Sequence, residues 1–174
     1  MRVLETARAL ALPDWLLFSG AVYQTLWNAR TNRAPDYGIK DFDLAYFDSS
    51  DLSWEAEDAV IRRVATAFDP PLRALVETRN QARVHLWFEQ RFGAAYAPLR
   101  SAAEALTRFV APAFAIGVRL EDDHRLNLVA PFGLDDVFRL RIRPNPHRRS
   151  DPARFQQIAL GLQERWPELT ILAR

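Results

Sequence analysis

A chain of 174 residues, 49% of them hydrophobic, can bury about 70% of its unfolded surface and needs no staple to hold a core. It contains no cysteine, which excludes disulfides and thiolate metal sites. Its formal charge of +1 gives no bulk signal for nucleic acid or membrane. Lys40 is the only lysine, so nearly all the positive charge is arginine, the side chain suited to bidentate contacts with phosphate or carboxylate.

This length predicts one domain over residues 1–174. Nothing at the start reads as a targeting segment: Met1 to Leu12 carries Glu5 and two arginines, and the apolar run Trp15 to Val22 is too short for a spanning helix and lacks signal-peptide flanks. The default expectation is a cytoplasmic protein without a membrane partner.

In chain order, Leu4 to Leu12 reads as a helix stopped by Pro13-Asp14, and Trp15 to Phe18 as a short buried strand. Ser19-Gly20-Ala21 is a small-residue turn, and Val22, Tyr23, Leu26 and Trp27 follow with helical spacing. A glycine there admits a ligand close to the backbone, and the helix N-terminus behind it suits phosphate; the plain alternative is a tight turn needed for packing. Arg30 to Gly38 is a loop, and Ile39 to Phe47 a strand. Ser53 opens a helix to about Ala67 with acids in its first turn, and Asp69-Pro70-Pro71 breaks it. Arg73 to Thr78 reads as a strand and Asn80 as the N-cap of a helix through Arg91. Ser101 with Glu104 is a capping-box pattern for about two turns. Ala113 to Leu120 and Arg125 to Ala130 read as a hairpin across an acidic turn. Leu134 to Leu140 is a short helix, and Arg139 to Arg143 alternates like an edge strand. Pro144 to Arg149 is a basic loop, Asp151-Pro152 starts a helix to about Arg165, and Leu169 to Leu172 closes as a strand or docks.

The chemistry concentrates in Lys40 to Asp48. On a strand, side chains alternate between faces, so Asp41 and Asp43 point one way and Phe42 and Leu44 the other. Two carboxylates side by side repel unless a cation lies between them, and a hard ion such as Mg²⁺ suits paired carboxylates that also receive phosphate oxygens. The bland alternative is a capped turn at Asp41 and a solvated face at Asp43. A third acid, Glu77, sits inside the apolar stretch Leu75 to Thr78, where a charge is costly unless paired or bound to metal. Three carboxylates around a two-metal site stabilise the attacking and leaving oxygens of an in-line phosphoryl displacement. A glycosidase ranks last, because acids two residues apart on one strand are too close for that reaction.

A strand–Ser19-Gly20–helix unit, an Asp-x-Asp strand and a later acid-bearing strand together resemble the nucleotidyltransferase fold of the polymerase-beta-type superfamily. More closely, Trp27-Asn28, Asp41 to Asp48, Asn80-Gln81-Ala82-Arg83-Val84-His85, Ala130 to Leu134 and Arg143-Pro144-Asn145-Pro146 resemble a bacterial nucleotidyltransferase-like family of unassigned function, over nearly the whole chain. The resemblance implies an α+β fold, a mixed sheet flanked by helices. It implies transfer of a nucleoside monophosphate from a nucleoside triphosphate to an unidentified acceptor, with Mg²⁺ or Mn²⁺ held by Asp41, Asp43 and Glu77, and Gly20 at the triphosphate. Ala21 stands where the superfamily often has Gly or Ser, so one phosphate-binding hydroxyl is missing; Ser19 and the backbone N–H groups remain. Arg83 is a phosphate ligand or a surface ion pair, and His85 a base, a phosphate ligand or a packed histidine. Arg143, His147, Arg148 and Arg149 form an acceptor-binding edge or a solvated loop. The competing function is a non-catalytic nucleotide- or metal-binding module on the same fold.

Overall fold

The computed structural model describes residues 1–148 and 151–172. A five-stranded sheet runs in the order β3-β2-β1-β4-β5, built from β1 (Leu16–Phe18), β2 (Phe42–Tyr46), β3 (Val76–Asn80), β4 (Gly117–Leu120) and β5 (Leu126–Val129). Within this sheet β2 and β3 pair parallel and the other three pairs are antiparallel. A parallel pair requires a crossover, here supplied by α3 (Trp54–Ala67). The mixed sheet with flanking helices is the architecture expected from the sequence.

The strand pattern sorts residues onto two faces. Leu17, Leu44, Tyr46, Val118 and Leu120 pack under α1 (Arg2–Leu10) and α3 with Val64 and Phe68. Leu16, Phe18 and Ala45 face the other way, against Ala102, Ala105 and Leu106 of α6 (Ala102–Leu106). A third cluster joins Tyr23 and Trp27 of α2 (Gly20–Arg30) to α7 (Asp135–Phe138), α8 (Pro152–Gln163) and the small parallel pair β6 (Arg141–Ile142) and β7 (Thr170–Ile171). Val22 packs against the first and third clusters and Phe109 against the second and third.

Several element boundaries depart from the sequence expectation. The strand expected over Arg73 to Thr78 begins as α4 (Leu72–Leu75), a single turn in which Arg73 N–H donates to Asp69 O, and pairing extends instead to Asn80. The helix expected from Asn80 is a short 3₁₀ turn, Gln81–Arg83, followed by α5 (Val84–Phe92). Ala113 and Phe114 belong to another 3₁₀ turn, not to the hairpin. Ile39 to Asp41 precede β2 unpaired, because the residue opposite Asp41 in the β3 register is Leu75, held in α4.

Buried polar side chains fix the connections. Asn80 Oδ1 accepts from Asp48 N and Ala82 N, its Nδ2 donates to Asp48 O, and its backbone N–H donates to Glu57 Oε1. Glu57 Oε2 in turn pairs with Arg83, whose Nε donates to Leu52 O. Asn28 does the same for the 31–41 loop, donating to Pro35 O and Tyr37 O and accepting from Trp166 Nε1. Gly38, at φ +73°, lies so near Trp166 that a Cβ would stand 2.6 Å from the indole, a contact no side chain can accommodate. Asn145 Nδ2 donates to Thr107 O and Phe109 O.

The Glu57–Arg83 pair generates a stability prediction. Removing one member of a buried pair leaves an uncompensated charge and costs about 3–5 kcal/mol, so Glu57→Ala should unfold at clearly lower urea concentration than the native chain. Glu57→Ala/Arg83→Met should recover part of that loss; a double variant as unstable as the sum of the single variants would show that the two side chains are not coupled.

Candidate active site

The turn between β1 and α2 is unusual for its sequence. Ser19 adopts φ 52°, ψ −103°, outside the regions open to residues with a side chain, and such strain persists only where its surroundings hold it. Ser19 N–H donates to Ile116 O at 2.7 Å, and Ser19 O accepts from Val22 and Tyr23 N–H at 2.9 Å each. Helix α2 therefore starts at Gly20, two residues before the expected position. The Ser19 side chain does not cap it, so the first N–H groups keep the anion-binding capacity of an uncapped N-terminus. A Cβ built on Gly20 would lie 3.5 Å from Gln24 Nε2 and 4.0 Å from Asp41 Oδ1. The glycine thus faces the first of the sequence-predicted acids.

The second and third acids meet across the sheet. Asp43 pairs with Glu77 in the parallel β2–β3 register, and residues directly opposite each other project to the same face. Both line one cavity of about 310 Å³. Asp43 is open to this cavity on one side; the protein packed around its carboxylate pushes its pKa up to about 6, with the charges of Asp41 and then Glu77 adding to the rise and Arg79 opposing it. The Tyr23 phenol is raised too, chiefly by burial, with smaller contributions from Asp41 and Asp43. Ser19, Gly20, Asp41, Asp43 and Glu77, which lie far apart in the chain, are thus brought to one edge of the sheet.

Arg83 is not brought there. It lies under α3 with Glu57, its guanidinium 5.8 Å from the Trp54 ring centre, and is absent from the lining of the cavity that holds Asp43 and Glu77. Neither sequence reading of it, phosphate ligand or surface ion pair, describes this buried pair. His85 Nδ1 is buried without a hydrogen-bond partner among the described residues, so His85 is packed but not satisfied. Arg143 is paired with Asp136 at 2.7 Å, and His147 stacks on Phe132. Arg148 reaches the cavity and donates to Arg108 O. Arg149 lies outside the described residues.

The arginine on the acid-bearing face is Arg79, two residues after Glu77 on β3. The period-two rule that placed Asp41 beside Asp43 also places Arg79 beside Glu77. Arg108, Arg148 and the aromatic wall of Trp87, Phe88 and Tyr96 come from three separate segments and leave no local sequence signal.

The donor set fits a hard cation: three carboxylates, two of them raising the proton affinity of the third. Among the described residues no group of three or more His, Cys, Asp or Glu side chains forms a ready-made metal cage. Among the described residues no helix is long and apolar enough to cross a membrane.

No curated protein sequence matches the chain. A structure solved by NMR and described as revealing a CCA-adding enzyme head domain is similar to it, with a TM-score of 0.79 and 25% identity over 100% of this chain and 89% of that one. The profile of a family described as nucleotidyltransferase matches residues 5–171. With the strand–glycine–helix turn, the acid-bearing parallel pair and nearly the full length matched, the chain belongs to the nucleotidyltransferase family.

Proposed function

We propose that the protein is a divalent-metal-dependent nucleotidyltransferase that moves a nucleoside monophosphate from a nucleoside triphosphate to a hydroxyl-bearing acceptor. The observation that carries this reading is the Asp43–Glu77 register with Asp41 within 4.0 Å of the Cβ position of Gly20. Acid row and anion-binding helix end stand together there, as a metal-bound triphosphate requires. The family match and the likeness to a CCA-adding enzyme head domain support the same chemistry.

In this reading Asp41, Asp43 and Glu77 hold Mg²⁺ or Mn²⁺, and the bound ion supplies charge neutralisation at the phosphoryl oxygens. Gly20 leaves room for phosphate oxygens at the N–H groups of α2, and the strained Ser19 backbone keeps that turn rigid. The acceptor hydroxyl oxygen bonds to the α-phosphorus as the bond from that phosphorus to the bridging oxygen breaks. Pyrophosphate leaves with the electron pair, and the hydroxyl proton passes to a Glu77 carboxylate oxygen and then to water. Positioning and electrostatics supply most of the rate in such transfers.

Asp43 gives a test with a sign. Its folded-state pKa, about 6, lies above its ordinary 3.8, so between these values the folded state binds more protons than the unfolded one. In chelator the contribution of Asp43 to stability is therefore most favourable at the acid end of this window and falls as pH rises from about 4 to about 6. Asp43→Asn should flatten this dependence and melt at the same temperature as the native chain or higher at pH 7. The same variant should lose most of the stabilisation that Mg²⁺ plus triphosphate gives the native chain, since linkage acts only through binding to the folded state. Marked destabilisation in chelator with the metal response retained contradicts the site.

Gly20→Val tests the phosphate end. The space at Gly20 is bounded by Gln24 and Asp41 at ordinary contact distances, so the variant should fold, while the branched side chain blocks the α2 N-terminus. Calorimetry should show triphosphate affinity lowered about tenfold or more; native affinity would make Gly20 a packing residue only.

A further inference from the structure

The cavity next to the carboxylates continues well past them, and its far part has a different character. Trp87, Phe88 and Tyr96 supply aromatic wall, and Arg79, Arg108 and Arg148 bring guanidinium groups to the same space. The Phe88 and Tyr96 rings lie 4.5 Å apart at 39°. The Arg108 guanidinium stands 5.8 Å from the Tyr96 ring centre and only 3.9 Å at its nearest from a carboxylate, Glu104. Its Nε is buried with no hydrogen-bond partner among the described residues, an arrangement that costs stability unless a ligand accepts the bond. Gly20 and Asp41 are not part of this lining, whereas Asp43 and Glu77 are. The acid row therefore has two ends, one at the α2 N-terminus and one opening into an aromatic, arginine-bearing cavity.

We propose that this cavity is the acceptor site and that the acceptor unit is a planar ring joined to a phosphate, about one nucleotide in size. The assignment rests on the nucleotidyl-transfer reading above. A volume of about 310 Å³ is at the small end of ligand sites, room inside the cavity for about one nucleotide unit. Aromatic faces accept a ring of any sequence by stacking, and arginine forks match phosphate geometry. With the ring against Trp87 and Phe88 and the phosphate on Arg108, a hydroxyl of the same unit faces Asp43 and Glu77. The triphosphate approaches from the Gly20 end, so the two substrates meet at the acid row from opposite ends. The same ring–phosphate chemistry is offered by a free mononucleotide and by the 3′-terminal residue of a strand.

The native chain, saturated with Mg²⁺ and a non-hydrolysable triphosphate analogue, is titrated calorimetrically with adenosine 5′-monophosphate, with ribose 5-phosphate and with a short single-stranded oligonucleotide ending in a 3′-hydroxyl. The monophosphate should bind the loaded protein at least tenfold more tightly than ribose 5-phosphate. Arg108→Gln and Trp87→Ala should each weaken it about tenfold, with Arg108→Lys between, while affinity for the analogue changes less than twofold and the melting temperatures stay near native. Equal affinity for monophosphate and oligonucleotide assigns a free nucleotide as the source; tenfold tighter oligonucleotide binding assigns a strand end. Absence of binding by every probe to the loaded chain overturns the proposal. Loss of analogue binding in the variants also overturns it, by assigning the cavity to the base of the triphosphate. A native chain that binds the monophosphate through Arg108 but binds no analogue overturns the nucleotidyl-transfer reading and the acceptor role with it, leaving a ring–phosphate site alone.

Discussion

Like charges at Asp43 and Glu77 stand side by side because the opposite faces of their strands are committed elsewhere. Phe42, Leu44 and Tyr46 of β2 pack toward α1 and α3, and a slip of one residue would turn all three out of that core and onto the opposite face. At the end of β3, Asn80 binds Asp48 through both its amide atoms and Glu57 through its backbone, which fixes the two parallel strands in length as well as in register. The repulsion is thus imposed by burial and hydrogen bonding a few residues away. The raised pKa of Asp43 comes chiefly from burial, with Asp41 and then Glu77 adding to it.

The same constraint explains why the acids and the glycine turn meet. β1 is three residues long and pairs with residues 43–45 of β2, so the turn that follows Phe18 emerges beside Asp43 and Asp41. Ser19 carries the strain of that reversal, and α2 leaves with its N-terminus at the acids. Behind it, Asn28 and Trp166 tie the 31–41 loop to the segment that follows α8. The long excursion between Gly20 and Asp41 is therefore a braced segment that delivers Asp41 to its place just ahead of the strand.

Asp43 on its strand, Glu77 and the Ser19-Gly20 turn were legible in the sequence because each is a local pattern: alternation, a charge among apolar residues, a glycine between strand and helix; Asp41, read onto the same strand, lies just ahead of it. An ion pair was one of the two readings of Arg83, but local spacing does not show that it is buried. Its partner, Glu57, lies in a helix that spacing along β3 and α5 cannot see. Within Asn80 to Arg83, Asn80 and Arg83 hold the register through Glu57, while Gln81 lines the cavity. The start of β3 was misplaced because Leu72 to Leu75 is apolar enough for either a strand or a helical turn. The aromatic–arginine cavity was invisible, since Arg79, Trp87, Tyr96, Arg108 and Arg148 come together only through the tertiary packing of α5 and α6 against the sheet.

Nucleotidyl transfer by this chain requires a divalent ion and a triphosphate to assemble between the α2 N-terminus and Asp41, Asp43 and Glu77. Paramagnetic relaxation by Mn²⁺ reads that location directly in an amide-resolved NMR spectrum recorded with a non-hydrolysable triphosphate. Substoichiometric Mn²⁺ should broaden the amides of Gly20, Asp41, Asp43 and Glu77 first, and Asp43→Asn should abolish the effect. Broadening centred on another acidic group, such as Asp135 and Asp136, with the Gly20 and Asp43 amides unaffected, would contradict it.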